Sequence, residues 1–119
     1  MKILVFDDNL FFVTRLDAAL RQAGHEVRLA SAAEEANTAL KEGPDAAVVS
    51  LHAPGALEFV RSASENGIPV AAYCGHAEVE LRRQAKEAGA GVLLSNSDLP
   101  AALERALRHI TGAGGRPAE

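Results

Sequence analysis

Tryptophan is absent from the 119 residues, and tyrosine and cysteine occur once each. The lone Cys74 excludes an internal disulfide and suits a reducing compartment. Long apolar runs are missing as well. None approaches the ~20 residues that cross a bilayer. The apolar run in Met1-Lys-Ile-Leu-Val-Phe-Asp-Asp-Asn9 is too short for a signal peptide and ends in two acids. Basic residues are not in excess: 12 Lys and Arg stand against 16 Asp and Glu, for a net charge of −4. With both signs interleaved, there is no footprint for nucleic acid or an anionic membrane. These absences predict a cytoplasmic domain with neither kind of partner. What is present is ordinary for a globular chain, with 48% hydrophobic and 24% charged residues. The length fits one domain, which buries roughly two-thirds of its unfolded surface.

Short apolar runs alternate five times with longer helical patterns. Ile3-Leu-Val-Phe6, Ala46-Ala-Val-Val49, Val70-Ala-Ala-Tyr73 and Val92-Leu-Leu94 are continuous, as strands covered on both faces are. Val27-Arg28-Leu29 alternates and suits an edge. The first helix carries Phe12, Leu16, Ala19, Leu20 and Ala23 on one stripe and stops at Gly24. The second is predicted to open with a Ser31–Glu34 capping box and to close at Gly43-Pro44. The third spans about 56 to 66. The fourth places Ala77, Leu81, Ala85 and Ala88 on one face. The fifth starts near Ser97-Asp98, takes Pro100 into its first turn and buries Leu103, Ala106, Leu107 and Ile110. Five such βα units make a doubly wound α/β domain: a five-stranded parallel sheet with helices on both faces. The domain is expected over 2–111. The stretch 112–119, Gly-rich with nothing to bury, is expected to be a disordered tail.

In an open α/β sheet, ligands bind beyond the carboxyl ends of the strands. The residues there are Asp7, Asp8 and Asn9; Ser31; Ser50, Leu51 and His52; Cys74, Gly75 and His76; and Ser95 and Asn96. Asp7-Asp8 is the strongest signal. A phosphate-binding loop at this place would offer bare amides at a helix N-terminus. Two carboxylates do the reverse, repelling phosphate and attracting a hard cation such as Mg²⁺. Helix capping accounts for one acid comfortably and for two poorly.

On these residues the chain resembles the receiver domains of response regulators. The shared features are a buried strand ending in an acid pair (Lys2 to Asp8) and a third strand between Pro44-Asp45 and Pro54-Gly55. A fourth strand follows Ile68-Pro69, and a fifth follows Ala88-Gly-Ala90. The likeness runs from residue 2 to about 111 and implies a CheY-like, flavodoxin-like strand order 2-1-3-4-5 with five helices. It also implies that the family's phosphorylation chemistry is degenerate in this chain. The phospho-accepting aspartate falls on Ser50, the switch hydroxyl on Cys74, the aromatic switch on Leu93 and the lysine on Asn96. A serine without an adjacent base lacks the nucleophilicity of an ionised carboxylate. Asn96 cannot supply the positive charge that clamps a phosphoryl group, and a thiol donates poorly. Asp7 and Asp8 alone should hold Mg²⁺ weakly at best, so no cofactor is expected.

Other signals carry less. His52, Cys74 and His76 are metal-ligand types but lack ligand spacing. Nothing like Gly-x-Ser-x-Gly surrounds Ser50, so no enzyme is expected. On the first helix Phe11 points away from the stripe centred on Leu16, Leu10 lies well off it and Val13 lies at its margin. Leu10, Phe11 and Val13 are therefore a candidate partner patch. The sequence thus predicts a pseudo-receiver of two-component-type signalling that binds another signalling protein, as a monomer or weak homodimer, without phosphorylation. The rival reading is a small-ligand or metal sensor using Asp7, Asp8, His52 and Cys74.

Overall fold

The strand named β1 (Lys2–Phe6) sits inside the sheet, and its alternate residues divide between two cores. In the computed structural model, which describes residues 1–112, it is followed by α1 (Leu10–Gln22), β2 (Glu26–Ala30), α2 (Ala33–Leu40), β3 (Ala46–Ser50), α3 (Ala56–Glu65), β4 (Val70–Cys74), α4 (Val79–Ala88), β5 (Val92–Ser95) and α5 (Leu103–Thr111). All pairings are parallel, in the order β2-β1-β3-β4-β5. This is the predicted CheY-like, flavodoxin-like topology. Of the tail expected over 112–119, Gly112 caps α5 and residues 113–119 lie outside the described residues.

Strand periodicity explains the two cores. Leu4, Phe6, Ala47, Val49, Ala72 and Cys74 face the side covered by α2, α3 and α4, where Phe6 meets Phe59 edge-on at 5.4 Å between centroids. Ile3, Val5, Ala46, Val48 and Tyr73 face Leu16 and Leu20 of α1 and Leu103 and Leu107 of α5. Each large apolar side chain in these layers contributes about 1.5–3 kcal/mol by leaving water. β1, β3 and β4 are therefore buried on both faces, as their continuous apolar runs require.

Several local expectations shift. β5 is the other edge strand, and its four residues are only part-buried. A continuous apolar run marks helix cover on both faces; it does not by itself mean central placement. The expected Ser31–Glu34 box does not form: the Ser31 hydroxyl and amide both reach Glu35 instead, and α2 begins beyond Ala32 without a side-chain cap. Ala77 precedes α4. Pro100 precedes α5: Ser95 and Asp98 box a short 3-10 turn at Asn96–Asp98, and the chain passes Leu99-Pro100 before the helix starts. A proline near a helix start is compatible with the first turn, but the cap chemistry here serves the preceding turn. At the end of α4, Gly89 has φ +114 and lies against α3. A Cβ there would sit 2.2 Å from the Ser64 hydroxyl, so only glycine fits.

Candidate functional site

At the top of β1 the chain turns into α1 over three residues. Neither acid caps the helix. Asn9 does, its side chain accepting from the Phe12 amide at 3.2 Å. Asp7 is 3% exposed, and both of its oxygens are engaged. Oδ1 accepts from the Asn9 amide at 2.9 Å and Oδ2 from the Tyr73 hydroxyl at 2.5 Å. Its own amide donates to the Ala30 carbonyl of β2. The acid thus ties together three strands and the first turn. Asp8 is exposed.

Tyr73 is the residue the sequence reading missed, although a signal existed. It is the one tyrosine, set in a strand covered on both faces, and a buried phenol needs a partner. Its ring is 2% exposed and tilts against Phe12 at 5.3 Å. Burial, then the hydrogen bond to Asp7, then the charges of Asp7 and Asp8 push this phenol far above its ordinary value. Ser50 stands directly across from Tyr73 in the β3–β4 register and is 6% exposed.

The other residues read from the sequence do not join this cluster. Cys74 is fully buried on the α2–α4 side, where burial raises its thiol pKa against the opposing pull of Arg82. His52 is exposed and pairs with Glu78 instead, Nε2 to Oε2 at 2.6 Å. Glu78 Oε2 also accepts from the Gly75 amide at 2.8 Å. These two interactions, the His52 bond first, lower the Glu78 pKa. Asn96 is exposed on the 3-10 turn, and Leu93 packs half-buried against the α2–α4 core. The structure does not bring the sensor set Asp7, Asp8, His52 and Cys74 together: the carboxylate of Asp7 and the thiol of Cys74 belong to opposite faces of the sheet. Among the described residues, no three His, Cys, Asp or Glu side chains gather as metal ligands.

A receiver-type pocket implies a divalent cation, and the donors here fit one poorly, because Asp8 is the one exposed carboxylate among them. Mg²⁺ takes near-octahedral oxygen ligation through one or more free carboxylates. Asp7 is committed to Tyr73 and Asn9, and Ser50 brings a hydroxyl where a third carboxylate would be needed.

The partner patch needs one correction. Leu10 and Phe11 are 71% and 89% exposed, but Val13 is 5% exposed and packs in the α1–α5 core. Val13 lies one turn before Leu16, and this places it on the buried stripe with Leu16 and Leu20. Leu29 of β2 is 38% exposed. With Leu10, Val13 and Asp7 it lines a shallow groove of about 240 Å³ that Ser31 and Glu35 close.

No protein-family model and no curated protein matches the sequence. Solved structures do match. A response regulator from Chloroflexus aurantiacus superposes with a TM-score of 0.85 at 24% identity, over 93% of this chain and 97% of that one. The receiver domain of NtrX from Brucella abortus gives 0.76 at 26%, over 89% and 98%. The chemotaxis protein CheY4 of Vibrio cholerae gives 0.79 at 23%, over 92% and 97%. The structures this chain resembles are CheY-like response-regulator receiver domains.

Proposed function

We propose that this domain is a receiver of two-component-type signalling that has left phosphorylation behind and works by binding another signalling protein. The observation that carries the reading is the Tyr73–Asp7 hydrogen bond beside Ser50. The pocket's buried acid is occupied within the fold, and the position that would attack phosphorus holds a neutral hydroxyl in place of an ionised carboxylate. Asn96, exposed at the lysine position, adds no cation to stabilise a phosphoryl group. Cys74 is sealed in the core, and Leu93 has no ring to move. The reading is of a binding protein, not an enzyme. We place its partner contact on the patch of Leu10, Phe11 and Leu29, beside the retired pocket. A cytoplasmic location suits this role, and no described helix is long and apolar enough to cross a membrane.

Incubation with acetyl phosphate and Mg²⁺ tests the proposal. Intact-mass analysis should find no phospho-adduct on the wild-type chain. A stable adduct mapped to Ser50 would overturn it.

A further inference from the structure

The Tyr73–Asp7 bond has a role that the loss of the phospho-acceptor does not account for. The replacement at position 50 leaves Asp7 in place as a carboxylate. A side chain from another strand covers it. Tyr73 reaches Asp7 from β4, 66 residues along the chain. Its ring cannot swing aside cheaply, because it is buried and leans on Phe12, whose own position is set by the first turn of α1. The Asn9 amide holds the second oxygen, fixing the carboxylate's plane. A phenol proton and a divalent cation compete for the same negative oxygen, and the phenol is already in place.

We propose that Tyr73 is the positioning residue that closes the acid pocket, supplying Asp7 internally with the partner that a divalent cation would otherwise be. This deepens the reading of the pocket as retired. The incapacity has two independent parts, a missing ligand at 50 and a ligand at 7 that is taken up. Restoring an aspartate at 50 alone then repairs only one of them.

The test is a double-variant cycle with Mg²⁺ alone, followed by the amide shifts of Asp8 and Leu51. The proteins are wild type, Tyr73→Phe, Ser50→Asp and the double variant. Tyr73→Phe keeps the ring against Phe12 and removes only the hydroxyl. Wild type and Ser50→Asp should bind weakly. The double variant should bind at least about tenfold more tightly than Ser50→Asp, the factor expected from freeing a carboxylate held by a charge-assisted hydrogen bond. Equal affinity in Ser50→Asp and the double variant would overturn the assignment. A measurement on the unaltered chain covers the case in which the substitutions loosen the fold. The single tyrosine's hydroxyl proton should be visible in a cold spectrum and persist in millimolar Mg²⁺; its loss there would equally refute the idea. The two proposals fail separately. An adduct on wild type speaks to Ser50, while the difference between Ser50→Asp and the double variant speaks to Tyr73 alone.

Discussion

Asp7 and Glu78 are carboxylates at the same end of the sheet, and each accepts two hydrogen bonds. They hold their halves of that end in opposite ways. Asp7, under α1, is almost wholly buried, and its partners are a neutral phenol and a backbone amide. Glu78, before α4, is about a third exposed, and its partners are an exposed imidazole and the Gly75 amide. α1 has a side-chain cap from Asn9; α4 has none, since the side chain at its own cap position, Glu78, turns back toward Gly75. The same chemical group therefore fixes one half inside a dry layer and only steadies the other in water. A buried charged hydrogen bond is costly to break, whereas an exposed pair is weakened by competing solvent and salt. The α1 half should behave as a rigid platform for a partner, and the β4–α4 loop as the adaptable side.

The largest consequence should appear at high pH. Burial and Asp7 raise the folded-state pKa of Tyr73 above the value of about 10 that it takes when unfolded. The stabilisation is complete below that value. Above it the unfolded chain sheds a proton that the folded chain keeps, so stability falls as pH rises. With one tyrosine and no tryptophan, phenolate absorbance reports this site alone. We expect the phenolate to form together with loss of helicity. Tyr73→Phe should unfold at a higher pH than it would with the phenol in place, relative to its own neutral-pH stability. Phenolate appearing near pH 10 in a chain that stays helical would break the contrast between the two halves.

Next in size is a contrast within α1 itself. Val13→Ala removes a buried branch and should cost on the order of 1–3 kcal/mol. Phe11→Ser, two residues away, should leave the melting temperature nearly unchanged while removing the partner contact, measured by titration of the purified partner. Equal destabilisation by both substitutions would make Phe11 part of the core and remove the platform.

The fold was legible because period and punctuation survive without tertiary context. Apolar runs marked the strands, and glycines ended the helices. The misplacements have a common cause in hydrogen-bonding side chains with several partners in reach. Ser31 had Glu34 and Glu35 on one turn, and the structure uses the second. Asp98 looked like the start of α5 but closes a 3-10 turn with Ser95. Val13 lay on a margin where a small rotation of the stripe decides burial. At the site, the absences at Ser50, Cys74, Leu93 and Asn96 could be read locally, because each is a single replacement in a recognisable frame. The bond between Asp7 and Tyr73 could not be read locally, since it joins two strands that meet only through β3 in the predicted sheet order. His52, past the end of β3, is exposed and pairs with Glu78, whereas Cys74 is buried in the α2–α4 core.

The smallest expected effect concerns Glu78, and it sharpens the contrast most directly. Its pKa is depressed by the His52 bond and then by the Gly75 amide, so whatever stability the pair contributes is present above the ordinary glutamate value of about 4.3. That contribution is lost as pH falls through the depressed folded value, when the carboxylate takes up a proton and ceases to be a charged acceptor. Glu78→Gln imitates the protonated state at neutral pH. It keeps an oxygen for the Gly75 amide but removes the charge facing His52. Because the pair is wet, the melting temperature should hardly move. The local consequence should still be measurable. Hydrogen exchange at Gly75 and in the first turn of α4 should speed up, while exchange in the first turn of α1, capped by Asn9 and backed by Asp7, should stay as it was. His52→Ala should reproduce the pattern, because it leaves the same carboxylate without its imidazole. If Glu78→Gln instead lowered the melting temperature as much as Val13→Ala, or loosened both helix starts together, the two halves would be one cooperative unit. The division into a platform and an adaptable loop would then be wrong.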